Sequence, residues 1–253
     1  MIGADFSRSG VATTSAPGAR RAPARPARAA SPHSAAPRRA IAVIGDIVAS
    51  RRVPPVERSH LQRALEQLAD VVNKRYRRAI AARFLVTLGD EFQGVLTQGE
   101  ILPDLIWDIE TGLPEVGVRF GIGLGTLHPP FKPLALGMDG PAFHAAREAV
   151  QLARKRRVRG GLFLGFGDVD DVVLNGLAQL LQHERQHLSK AQRMTLELLR
   201  QGYSQAEIAK QLRITKQAVS LRAQGAGWEA FAEGERAWRA ALERFDFSAE
   251  WER

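Results

Sequence analysis

The sequence predicts an α+β fold: a ferredoxin-like, palm-type sheet domain in βαββαβ order, followed by an all-α region. Three observations predict it. Between Ala40 and Phe166, short apolar runs rich in β-branched residues alternate with stretches of helical period. After Asp168 only helical periodicity remains. The composition, 45% hydrophobic and 25% charged over 253 residues, is that of a chain able to bury a sizeable core.

The elements follow in order. Residues 1–38 are rich in Ala, Pro, Arg, Ser and Gly and show no period, so a disordered basic tail is expected there. Residues 1–39 hold seven arginines and one acid, Asp5, and so carry most of the net charge of +9. The functional alternative for this segment is a non-specific nucleic-acid arm. It lacks the apolar stretch of a secretory signal. Ala40–Gly45 reads as a buried strand. Pro54 and Pro55 open an amphipathic helix to about Tyr76, with Leu61, Leu65, Leu68 and Val72 on one face. Arg83–Leu88 and Glu91–Leu96 form a hairpin about Gly89-Asp90. Ile101–Ile109 is a helix stopped by Gly112 and Pro114, Val116–Leu124 a strand, Pro141–Arg156 a helix and Leu162–Phe166 the last strand. Helices are then expected over 169–187, 190–200, two short segments and about 228–245. The domain limits are 39–167 for the sheet and 168–253 for the helices.

The chain has no cysteine, which excludes disulfides and thiolate metal sites. A metal would need oxygen or imidazole ligands. The longest apolar runs, such as Ile41–Ile44, are far too short to cross a bilayer, so a cytoplasmic protein with no membrane contact is expected.

Residues 189–223 have the pattern of a helix-turn-helix. Gly202 closes one helix. Ser204 stands at the next N-cap with Glu207 three residues on, a capping box. Ile208 and Leu212 are its apolar face, and Ala206 and Ala209 permit close approach of the following helix. Ile214 fills the turn, Thr215 caps the next helix and Val219 anchors it. Lys216, Gln217, Ser220 and Arg222 are left outward, where base edges and phosphates would be met. Between Leu188 and Gly225 seven basic residues stand against two acids, a charge carried by a compact element. The S-Q-A-E-I-A and T-K-Q-A-V-S segments resemble the helix-turn-helix of sigma-factor region four and of LuxR-type response regulators. Double-stranded DNA is the partner this implies, with Thr215 and Ser204 added to the contact set. Arg213 stands where many such modules have glycine. The alternative is a helical pair used for protein contact alone.

Asp46 and Asp90 each lie in a Gly-Asp turn, and the βαββ order can bring the two strand ends together. Two such carboxylates can hold Mg²⁺ when a nucleotide supplies the other ligands, although turns favour Asp in any case. The segments GDIVAS, TLGDEFQGVL, VRFGIGLGTL and AREA resemble a divergent class III nucleotide cyclase domain over about residues 40–165. Leu88–Phe92 is also similar to the diguanylate cyclase signature. The resemblance implies metal ligands at Asp46, Asp90 and the Ile47 backbone, with Mg²⁺ or Mn²⁺ as cofactor. It implies nucleotide contacts at Arg147, Gly121 and Gly123. Val86 stands where such cyclases have an adenine-selecting lysine, and Phe143 where they have an asparagine that orients the ribose. Cyclisation by the familiar route is therefore not expected, and no catalytic residue is singled out. The cyclase-like region, the segment GPAFHAAREA and the C-terminal helix-turn-helix together are similar to the SatD family of bacteria.

Other groups have plainer readings. His144, beside Arg147 on the late helix, is expected to be a surface or structural histidine, with proton transfer as the alternative. His183 and His187, one turn apart, lack a matching carboxylate for a shared metal. Arg154–Arg159 is expected to be a solvated helix end, with contact to phosphate as the alternative. Trp228, Phe231, Trp238, Leu242 and Phe245 form a stripe expected to pack on the helix-turn-helix or to join a homodimer. The reading preferred is a DNA-binding transcriptional regulator whose sheet domain senses a nucleotide or dimerises and is not an enzyme. The alternatives are a Mg²⁺-dependent nucleotidyl cyclase or transferase and a protein-interaction module.

Overall fold

In the computed structural model, β1 (Arg38–Ile47), β2 (Ile80–Val86), β3 (Glu91–Leu96), β4 (Val118–Leu127) and β5 (Gly160–Leu164) form one sheet in the order β2-β3-β1-β4-β5. The described residues are 36–48, 54–87, 90–114 and 116–252, without the side chains of 55–58. Residues 1–35 of the expected tail lie outside them, and Arg38 already belongs to β1. β1 runs antiparallel to both β3 and β4, β2 antiparallel to β3, and β5 parallel to β4. The first four strands have the ferredoxin-like order, and β5 is added beyond β4.

Alternation along β1 assigns the two faces of the sheet. Ile41 and Val43 share one core with Phe120, Ile122 and Phe163. Helices α1 (Pro55–Arg75) and α2 (Leu102–Gly112) cover that face through Leu65, Val72, Leu105 and Ile106. Ala40, Ala42 and Ile44 point the other way, into a second core with Ala142, Phe143, Ala146 and Val150 of α3 (Pro141–Arg156). Pro141 starts α3 and Arg157, with φ 57°, ends it in the left-handed region.

The chain then continues in helices: α4 (Asp168–His187), α5 (Lys190–Arg200), α6 (Gln205–Leu212), α7 (Lys216–Gly225), α8 (Trp228–Glu243) and α9 (Ser248–Trp251). The core does not break at residue 168. Leu174 and Leu181 of α4, Leu196 of α5 and Phe231, Trp238 and Leu242 of α8 are buried in the same cluster as Trp107 and Phe163. The Trp238 ring meets Phe163 edge-on at 5.7 Å, and Phe231 meets Trp107 at 5.9 Å. The expectation that the α8 stripe packs on the helix-turn-helix is met in part: Phe231, Trp238 and Leu242 are buried in the sheet-side core together with Leu196 of α5, and Trp228 lies half-buried beside Gln205 and Ser220. The reason is area, since β5 and α2 leave an apolar face that only a large aromatic surface fills.

The C-terminus returns to the start of the sheet, which the sequence pattern does not announce. Trp251 Nε1 donates to the Arg39 carbonyl at 2.8 Å, and Arg39 pairs with Glu250. No described helix is long and apolar enough to cross a membrane.

Candidate functional site

Three helices with polar caps form the helix-turn-helix. Ser189 and Gln192 make a reciprocal capping box at α5, and Ser204 and Glu207 make another at α6. Each satisfies two amide donors that the first turn leaves without helical partners. Thr215 accepts from Ala218 N–H at 3.1 Å and so caps α7. Gly202, at φ 85°, donates to Leu199 O and stops α5. Arg213 takes the left-handed turn conformation itself, at φ 55°. Ile208, Ala209 and Val219 make a small core, closed by Leu198, Leu212 and Ile214. Ala206 is exposed, so Ala209 alone serves the close approach. Lys216, Gln217 and Ser220 stand in solvent on α7, Arg222 is half-buried, and Thr215 and Ser204 are exposed at the helix starts.

The second arrangement lies at the end of the sheet where β1 stops. Asp46 is opposite Glu91 on β3 and opposite Arg119 on β4, so the three form a row across the sheet. From the helix above this face, Arg147 and Arg154, two turns apart on α3, reach down to the row. Arg154 grips Asp46 with two bonds: Nε to Oδ2 at 2.9 Å and the terminal nitrogen to Oδ1 at 2.7 Å. Arg119 adds a contact at 3.3 Å, and Arg147 pairs with Glu91 at 2.5 Å. Hydrogen bonding to Asp46 holds the Arg154 guanidinium above its usual range, despite burial, with Glu91 and Asp90 adding to the effect. Asp90 is adjacent: its carbonyl accepts the Ile47 N–H at 3.1 Å.

Asp46, Ile47 and Asp90 are thus brought together, but as arranged they do not fit a divalent ion. Both Asp46 oxygens are engaged by guanidinium groups, and a metal there would have to displace Arg154 and sit beside Arg119. Among the described residues no group of three His, Asp or Glu side chains could hold a metal. Gly121 and Gly123 are likewise corrected as nucleotide contacts. A Cβ on Gly121 would lie 2.1 Å from Ala146 O, and one on Gly123 2.2 Å from Ala146 N. These glycines seat α3 on β4, leaving no room for a ligand. Arg147 faces Glu91 rather than a cavity, and Phe143 is buried.

Glu91, Arg119 and Arg154 are the members that sequence reasoning missed. Arg154 was expected to be solvated with its basic neighbours, yet its spacing of seven from Arg147 marks one helix face. His144 does lie at the surface, against Asp139, and the exposed His187 ring bonds the His183 carbonyl. A separate polar cavity of about 460 Å³ opens between α2, the start of β4, α4 and α5. Arg159, Arg185 and Arg193 line it with Glu110. Burial pushes the Arg185 guanidinium down and the Glu110 carboxyl up, against their 2.8 Å ion pair. The cationic excess suits an anion.

The fold is thus a palm-type sheet followed by a helix-turn-helix whose first helix shares the sheet-side core. The SatD family model matches residues 40–236, and the chain belongs to that family. No curated protein matches it. Solved structures similar to it include a bacterial light-regulated adenylyl cyclase, at 18% identity and TM-score 0.37 over 49% of this chain and 43% of that one. Another is the monomeric guanylyl cyclase domain of the RhoGC fusion protein from the aquatic fungus Blastocladiella emersonii, at 16% identity and TM-score 0.33 over 46% of this chain and 75% of that one. The chain thus spans less than half the length of the light-regulated cyclase.

Proposed function

We propose that this SatD-family chain is a DNA-binding regulator that reads double-stranded DNA with α7, on a sheet domain that does not cyclise nucleotides. The observation that carries the reading is the division of α7 into two faces. Val219 and Ala223 are buried, while Lys216, Gln217 and Ser220 project from a capped, cationic three-helix unit. Such side chains suit phosphates and base edges in the major groove. The engagement of Asp46 by two arginines supports a scaffold role for the sheet end. The nucleotide-sensing part of the reading belongs to the arginine-lined cavity, and mononucleotides that leave the melting temperature of the full chain unchanged remove that part.

The test is fluorescence anisotropy of the full chain with genomic duplex fragments, across a salt series. Lys216→Ala combined with Gln217→Ala is expected to weaken binding at least about tenfold, and to lower the salt slope by about one for the lysine. Unchanged affinity in a variant with native circular dichroism refutes the assignment. Leu221, 63% exposed on the same helix, favours a second reading, protein contact. In that case Leu221→Glu abolishes a protein interaction and the chain shows no duplex affinity beyond that of the isolated basic charge.

A further inference from the structure

Helix α4 is apolar on two sides. Leu174, Ala178 and Leu181 face the core. On the opposite side Val169, Val172, Val173 and Leu180 are 75%, 72%, 42% and 68% exposed. Their spacing of three, four and seven, with Gly176 among them, makes one stripe along the helix. No other described element leaves so many aliphatic side chains in water, and soluble proteins rarely leave such a patch uncovered. A Cβ on Gly176 would meet nothing within 4 Å, so this glycine is not needed for packing inside the chain. In a helix interior glycine costs about 1 kcal/mol relative to alanine, so its place in the middle of the stripe calls for another reason.

We propose that α4 is the seam of a homodimer, in which the α4 helices of two copies pack antiparallel and cross at Gly176. About that residue Val172 and Leu180 complement each other, while Val173 falls opposite Gln179, whose side chain bonds inward to the Gly161 carbonyl. In an antiparallel pair centred there, residues equally far before and after position 176 face each other. Val172 of each copy then meets Leu180 of the other, Val169 meets His183, and glycine meets glycine at the crossing. Two glycines at the crossing let the helix backbones approach closely, as small residues do where helices pack tightly. The chain's own N-terminal segment is a poor cover by composition: in residues 1–35 Met1, Ile2, Phe6 and Val11 are the only large apolar side chains. The seam stands on this helix face alone and is independent of the DNA reading. Dimerisation and duplex affinity are read by separate measurements.

The absence of cysteine makes a clean test on the full chain. Under mild oxidation Gly176→Cys is expected to give a disulfide-linked dimer. An equal mixture of Val172→Cys and Leu180→Cys chains is expected to give the mixed dimer. Val172→Cys alone is expected not to link, because the eight-residue offset separates the two thiol positions by about 12 Å. In light scattering, Leu180→Glu, at an exposed position that leaves the core intact, is expected to raise the dimer dissociation constant roughly 100-fold. A parent chain that stays monomeric at about 100 µM overturns the proposal. So does a dimer that Leu180→Glu does not weaken, and so does self-linking of Val172→Cys, which places the helices in another register. A chain that dimerises only once residues 1–35 are removed assigns the stripe to that segment instead and equally overturns it.

Discussion

Gly123→Ala separates a helix seat from a ligand site. On β4, Gly121, Gly123 and Gly125 share the face that carries α3, and each takes the helix backbone nearly in contact. A methyl group on Gly123 lands 2.2 Å from Ala146 N, 2.3 Å from Ala142 O and 2.8 Å from the Ala145 carbonyl carbon. Ordinary contact needs about 3.5 Å or more, so the helix has to retreat by roughly 1 Å. The neighbours are backbone atoms, and no rotamer change relieves them. Moving α3 disturbs Ala142, Ala146 and Val150, all fully buried. Overpacking of this kind costs about 1–3 kcal/mol, and a backbone obstacle argues for the upper end. The better strand conformation of alanine returns about 0.5–1 kcal/mol, leaving a net loss of about 2 kcal/mol. For a chain of this size that lowers the melting temperature by about 4–8 °C. Thermal or urea unfolding followed by the fluorescence of the buried Trp107 and Trp238 reads it. A variant as stable as the parent shows that α3 does not rest on β4 as described, and reopens the strand to a ligand.

Three further outcomes are expected. Trp238→Ala should cost about 3–5 kcal/mol, because the ring is 4% exposed and fills the space beside Phe163. Truncation after Phe166 should remove cooperative unfolding altogether, since it uncovers Phe163 and Ile106; a sharp transition in that fragment shows that the sheet region holds its own core. For acid sensitivity, Ser204 holds the Glu207 carboxyl below its ordinary value of 4.5 by donating its hydroxyl and its amide. A depressed carboxylate contributes stability that is present above the unfolded value and is lost as pH falls through the folded one. The protection of α6 amides, measured against their intrinsic exchange rates, should therefore fall as pH drops below about 4.5 in the parent, and much less in Glu207→Ala, which has already lost the carboxylate half of the capping box. Equal acid sensitivity in the two contradicts the capping box.

What the sequence made legible was local. The order of strands and helices, the Glu91–Leu96 strand, the α3 and α5 limits and the caps at Ser204 and Thr215 all follow from periods and neighbours a few residues apart. The adjacency of Asp46 and Asp90 was legible too, because a βαββ order brings those strand ends side by side. What was not legible depends on long-range pairing. Arg154 bonds Asp46 across 108 residues, and in the sequence it is one of several arginines at a helix end. Gly121 and Gly123 look alike whether they face a nucleotide or a helix, and only the packing of α3 decides. The aromatic period of α8 was clear, but a period names a face and not its partner.

That partner bears on how the two parts of the chain work together. α5 is the first helix of the helix-turn-helix and also a wall of the sheet-side core, where Leu196 is fully buried. Charged groups fix it there. Trp107 of α2 donates its indole N–H to Glu197, and Arg200 reaches Asp104 at 3.0 Å and Glu235 at 2.8 Å. The Arg185 and Arg200 guanidinium groups both lie over the Trp107 ring, 4.1 Å from its centroid. Removing one member of such a network leaves an uncompensated charge behind, so its members hold one another in place. Beyond α5 the bonding is lighter: α6 and α7 close on a separate small core of Ile208, Ala209 and Val219. The pair that offers Lys216 and Gln217 outward can therefore loosen without opening the sheet core, while α5 holds its base in a fixed orientation. On the proposed reading, Trp107 and Arg200 would hold the base from which α7 meets DNA, although neither belongs to the proposed contact set.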